Sequence, residues 1–157
     1  MNSSRIPAAL RHLPIGLSWP LVLLLAAAAW RGRLVDTLLL LALLLSHEAA
    51  HLAVAAGLGC RVLGLRLLPL GGVLSLGPEV GAVPAIEAAV AAAGPLHHVL
   101  ILSLAALAAP FPRSLGSHWP FFARANLTLA LFNLLPIYPL DGGRLLRAVL
   151  VDRKSVV

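Results

Sequence analysis

The sequence predicts an all-α polytopic membrane protein of about four transmembrane helices, with a short membrane-associated β-hairpin after the second. Three observations carry that prediction. Of 157 residues, 60% are hydrophobic and 11% charged, against about 45–50% and about 25% in soluble domains, and the mean hydropathy is +0.95. The apolar residues gather into four runs, 13–30, 34–58, 88–109 and 121–140, near the length of about 20 residues that a bilayer-spanning helix requires. The 12 Lys and Arg residues, which outnumber 6 acids and give a net charge of +6, are scattered between those runs. Such a distribution suits loops facing anionic lipid and argues for no nucleic-acid partner. The same numbers exclude a soluble globular enzyme and a disordered tail. Cys60, alone in the sequence, excludes an internally cross-linked secreted scaffold.

The first run, 13–30, follows Arg5 and Arg11 and ends in Ala26, Ala27, Ala28 and Ala29, which imitates a secretory signal. Its length exceeds the usual signal core of about 7–15 residues, so it reads as a retained span. The second run is followed by RVLGLRLLPLGGVLSL over residues 61–76. There Gly71 and Gly72 separate two short apolar stretches and predict the turn of a hairpin, with a surface loop as the alternative. In the last run, Pro136 and Pro139 each lack a backbone donor, so the helix is expected to stop near Leu135 and the chain to run extended into a glycine turn. With the N-terminus inside, the inner segments carry Arg5, Arg11, Arg61, Arg66, Arg144, Arg147, Arg153 and Lys154, and the outer ones Arg31, Arg33, Arg113 and Arg124. That bias predicts a multi-pass cell-membrane protein with both termini cytoplasmic. No internal repeat appears, and residues 1–157 read as one domain.

Span two contains His47, Glu48 and His51. An ionisable group near the centre of a span costs roughly 2.5–3.5 kcal/mol on insertion scales, so such residues are functional candidates. On a helix, positions i and i+4 share one face about 5–6 Å apart, and both imidazoles can reach one ion. Glu48 points off that axis, where it can meet a water at the site. This is the His-Glu-x-x-His arrangement of zinc hydrolases. The competing reading is a pair of buried histidines satisfied by neighbouring helices.

Catalytic zinc takes three protein ligands and keeps a position open. Asp141, on the proline-broken stretch after Asn133, is the natural third ligand, because bare backbone at membrane depth is tolerated where it lines a wet cavity. Spans two and four run in the same direction and carry their motifs toward the same face of the bilayer. Yet His47 lies about 16 Å inside the end of its span, so the proline loop must fold back inward. His97 and His98, at a similar depth in span three, compete for the third place or form a packing pair beside Gly94 and Pro95. His12 and His118 fall near span ends as interfacial residues, and Cys60 reads as a bystander.

HEAAH in one span and NLLPIYPLDGGR in a later one resemble the site-2 protease family of intramembrane zinc metalloproteases. LLPLGGV and AAAGPLHH are similar to its sporulation branch, which releases a sigma factor from a membrane-bound precursor. The resemblance runs roughly from residue 13 to 147. It implies that His47, His51 and Asp141 bind one Zn2+ ion, that Glu48 is the catalytic base, and that Asn133 and Pro139 help hold substrate. In relatives further spans and, in the sporulation branch, a nucleotide-sensing regulatory domain come after the second motif; this sequence is expected to be a truncated or minimal core, or to take its regulation from elsewhere.

The expected activity is hydrolysis of a peptide bond in or near a transmembrane segment of a membrane-embedded or membrane-tethered protein, with the site toward the cytoplasmic side. A transmembrane helix hides its peptide bonds and must unwind first. The Gly71 and Gly72 hairpin is expected to catch the unwound stretch by strand addition, with the Asn133 amide assisting. Partners are the lipid bilayer and the substrate, with inhibitory or regulatory membrane proteins left open. Two other classes remain: a zinc- or cation-handling membrane protein, which gives Glu48 no task, and a proteolytically silent scaffold, which does not require base and ligands together.

Overall fold

The structure, a computed structural model, describes residues 15–17, 19–68, 71–107 and 114–154. Strand β1 (Ile15–Leu17) leads into helix α1 (Trp19–Trp30) and then α2 (Leu34–Gly57). Strands β2 (Val62–Leu68) and β3 (Gly71–Leu76) come next, then a short helix α3 (Glu79–Ala82) and the long α4 (Pro84–Leu107). A 3-10 turn (Gly116–His118) opens α5 (Trp119–Asn133), and α6 (Asp141–Lys154) closes the described chain. His12, and residues 13 and 14 of the expected first span, lie outside the described residues.

Glycines end the first two helices. Gly32 (φ 67°) and Gly59 (φ 76°) take left-handed conformations. Arg33 N–H then reaches back to Ala28 O (2.8 Å) and Cys60 N–H to Ala55 O (2.9 Å), the double-bonded helix stop in which glycine carries the positive φ. Cys60 thereby turns into an apolar cluster with Ala55, Val80 and Val90, the bystander role its setting suggested. At the other end of α2, Asp36 accepts hydrogen bonds from Arg33 Nε (2.8 Å) and His118 Nδ1 (2.7 Å). The His118 contact ties the start of α2 to the turn before α5.

The sheet order is β1-β2-β3, with β1 parallel to β2 and β2 antiparallel to β3. The expected hairpin is therefore present, but its turn lies earlier. Leu68 pairs with Gly71 and Leu67 with Gly72, so the connection falls before Gly71 and both glycines stand inside β3. The strand Ile15–Leu17 corrects the first span: what reads as continuous apolar helix pairs partly as a strand, and the helix begins at Trp19.

Among the described residues, two helices, α2 and α4, are long and apolar enough to cross a membrane; α1 has 12 residues and α5 has 15. The run 121–140 breaks at Asn133. A proline at 136 removes a donor and sets its ring against the carbonyl of residue 132, and it disfavours helical geometry at Leu135. Leu135 N–H falls back to Phe132 O (3.2 Å) and the helix ends. Leucines 38, 45, 96, 100, 104, 127 and 131 face outward, the pattern of a bundle whose outer solvent is as apolar as its side chains.

Candidate metal centre

Helix α2 buries one stripe, Leu43, His47, His51 and Ala55. These positions are four apart and stack on one face. Apolar packing flanks the histidines on both sides: Leu43 with Ala105 and Phe122 below, Ala55 with Cys60, Val80 and Val90 above. The two imidazoles therefore sit where periodicity would otherwise place core leucines, and both are 5% exposed.

They face α4 at Gly94. A Cβ at that position would run into the His47 ring and His51 Nε2, so only glycine lets the histidines reach the bundle centre. Asp141 arrives from the opposite side as the first residue of α6. The chain from 134 to 140 folds back through a cis Tyr138–Pro139 bond and close turns, Ile137 N–H to Leu135 O (2.8 Å) and Leu140 N–H to Ile137 O (2.9 Å). It lies directly on the first turn of α6, because a Cβ at Gly142 would strike the Leu134 carbonyl. The inward fold that the depth mismatch demanded is thus made by two prolines and a glycine, and Asp141 begins a helix instead of sitting on an extended loop.

Three donor atoms converge. His47 Nε2 and His51 Nε2 are 3.0 Å apart, and Asp141 Oδ2 lies 3.2 Å from each. Donors held about 2.0–2.1 Å from a tetrahedral zinc stand roughly 3.3 Å apart, so the triangle has the size for one ion. Its chemistry fits as well. His51 Nδ1–H donates to Val90 O (2.6 Å), which leaves the Nε2 lone pair facing the centre. Asp141 Oδ2 is buried and makes no hydrogen bond, an orphan that a cation explains.

A cavity of about 590 Å³ opens on this triangle, lined among others by Glu48, Asn133, Pro139, Arg144 and Glu87. Glu48 is half-buried and shares the cavity with its two histidine neighbours. Asn133 is on the wall, with one of its amide hydrogens donated to Leu129 O (2.9 Å). Leu76 and Gly77 bring the end of β3 to the cavity; Gly71 and Gly72 begin that strand, about 13–17 Å away along it. His98 is fully buried and paired with Asn126, whose Oδ1 is 2.8 Å from His98 Nδ1 and whose Nδ2 donates to the His98 carbonyl (2.7 Å). Its ring stacks on His47 at 5.1 Å. His98 and His97 stand outside the converging donors, and Asp141 supplies the third atom of the triangle.

Sequence reasoning missed the role of Gly94, and it missed Asn126 and Glu87 altogether. Asn126 is a polar residue in mid-run and carried a legible signal. Glu87 fell one residue outside the span drawn from 88, and its Arg147 partner is 60 residues away.

The model of Peptidase family M50 matches residues 111–156, the stretch that contains Asp141. The chain is 42% identical over 123 residues to the putative zinc metalloprotease Rip3 of Mycobacterium tuberculosis, covering 73% of this chain and 30% of that protein. It is 36% identical over 115 residues to stage IV sporulation protein FB of Bacillus subtilis, covering 73% of this chain and 40% of that one. The chain thus spans well under half the length of these curated relatives. Its fold is similar to the site-2 protease from Methanocaldococcus jannaschii, with a TM-score of 0.66 and 28% identity, over 89% of this chain and 68% of that one. Among these names, that of Rip3 carries zinc, the ion that the His47, His51 and Asp141 donors fit. The family match over residues 111–156, the relatives and the fold agree in their likeness to peptidase family M50, the site-2 protease family.

Proposed function

We propose that residues 1–157 form one core domain of an intramembrane zinc metalloprotease, which hydrolyses a peptide bond in or near a transmembrane segment of a membrane-bound protein. The observation that carries this reading is the convergence of His47, His51 and Asp141 in a cavity that also holds Glu48. The three donors hold the ion, which when bound supplies Lewis-acid polarisation of a carbonyl and a lowered pKa for water. Glu48 accepts a proton from the attacking water and later gives it to the leaving amide nitrogen. The C–N bond breaks, and one carboxylate and one amine leave.

The surrounding residues position the substrate. Asn133 retains an amide hydrogen and its carbonyl oxygen for an unwound backbone. Pro139 shapes the wall beside it. The β3 edge, from Gly71 and Gly72 to Leu76, takes the unwound segment as an added strand. The finer substrate reading, a membrane-tethered pro-sigma factor, is supported by LLPLGGV and AAAGPLHH. The distribution of arginines supports a multi-pass protein with cytoplasmic termini and a site near the cytoplasmic face.

Co-expression of the chain with tagged single-span proteins tests this reading. Wild type is expected to yield a metal-dependent fragment from at least one of them, and Glu48→Gln to yield none while retaining its metal. Equal cleavage by Glu48→Gln would remove Glu48 from its role.

A further inference from the structure

Glu87 lies in the first turn of α4 and is 5% exposed. A carboxylate buried in an apolar helix is costly unless paired. Its partners both come from α6. Arg147 Nη2 and Nε donate to Glu87 Oε2 at 2.8 and 3.1 Å, and Arg147 Nη2 also reaches the Gly81 carbonyl (3.4 Å). Arg144 stands between two acids, with Nε 3.8 Å from Glu87 Oε1 and Nη1 4.0 Å from Asp141 Oδ1. All four residues line the cavity.

Helix α6 is seated at its first turn, where Gly142 and Gly143 press on the backbone of residues 134–138, and it carries few buried side chains farther along. Beyond Asp141, the buried positions among its described side chains are Gly142, Gly143 and Ala148, while Leu146, Val149 and Leu150 are 45–52% exposed. Beyond that first turn the register of α6 on α4 draws on polar pairing, and a buried ion pair is well suited to specify one register. A slide or rotation of α6 would carry Asp141 away from the two imidazoles.

We propose that Glu87 is a positioning residue which, through Arg147 and Arg144, sets Asp141 against the His47 and His51 pair. This inference rests on the reading of those three residues as the zinc ligands. Its experiment uses the full chain in detergent micelles, with Zn2+ and Co2+ as probes. Zn2+ affinity is read by chelator competition and the Co2+ site by its visible absorption. Glu87→Gln is expected to weaken Zn2+ binding by about tenfold or more, the range for outer-sphere partners of a ligand, and to shift the Co2+ bands toward those of Asp141→Asn. Added to Asp141→Asn, it costs no further affinity, because the residue acts through Asp141. Arg147→Lys, which keeps the charge but loses the two-pronged contact, gives a smaller shift in the same direction and substitutes for Glu87→Gln should that variant not fold. Unchanged affinity and spectrum in these variants, or losses that add to that of Asp141→Asn, would overturn the proposal. If His47→Ala retains stoichiometric zinc, the ligand reading beneath it fails instead; zinc lost in His47→Ala but unmoved in Glu87→Gln contradicts the Glu87 assignment alone.

Discussion

Helix α2 and the α5–α6 stretch each deliver donor atoms to the same point, and they do so by opposite means. In α2 an unbroken 24-residue helix presents His47 and His51 by spacing alone, on a stripe that continues through Leu43 and Ala55. In the other region the helix must fail. Prolines stop α5 at Asn133, the chain from 134 to 140 folds back, and α6 restarts with Asp141 as its first residue. Regular structure thus sets the distance between two donors, and a break in regular structure brings the third. The two regions should respond differently to substitution. Within α2 a change removes a donor and little else; in the broken region a change displaces one.

The largest contrast comes from Asp141→Asn. Replacing a direct anionic ligand by a neutral amide should cost more zinc affinity than the about 10–100-fold lost with outer partners, measured by competition with a chelator. An unchanged affinity would shift suspicion to His97 or His98. Gly94→Ala attacks the α2 side without touching a ligand, since its methyl runs into the His47 ring and His51 Nε2. Overpacking of this kind costs about 1–3 kcal/mol, so a zinc affinity loss of about tenfold is expected. Metal binding equal to wild type would contradict the close approach of α4 to the histidines. The smallest effect on the metal belongs to Asn126→Ala. It removes both hydrogen bonds to His98 and should lower stability by about 1–3 kcal/mol while leaving zinc stoichiometry intact; complete loss of zinc in a folded Asn126→Ala protein would make His98 part of the centre.

The same contrast explains how much of the molecule was legible in the sequence. Helical periodicity is local, so His47, His51 and the bounds of α2 come from residues within one turn of each other. Pro136 and Pro139 also act locally, which is why the stop near Leu135 was legible to within two residues. The path of the chain beyond that stop was not, because the inward fold depends on contacts such as Gly142 against the Leu134 carbonyl. Gly94 and Glu87 were silent for a similar reason. A glycine in an alanine-rich helix gains meaning only from the histidines opposite it, and Glu87 only from arginines on α6. The hairpin was visible as a pattern, but a Gly-Gly pair serves a strand as well as a turn. Its register therefore fell two residues from the expected place. Strand β1 escaped notice because three apolar residues before a longer apolar run carry no period of their own.

The central claim is that two dissimilar regions supply one zinc site of two imidazoles and one carboxylate. X-ray absorption at the zinc edge of the purified full chain tests it most directly, with Asp141→Asn alongside. One zinc per chain, two imidazole signatures and a directly bound oxygen whose contribution changes in Asp141→Asn is the predicted result. Three imidazoles, or a sulfur scatterer at the longer distance of about 2.3 Å that marks a cysteine ligand, would contradict it.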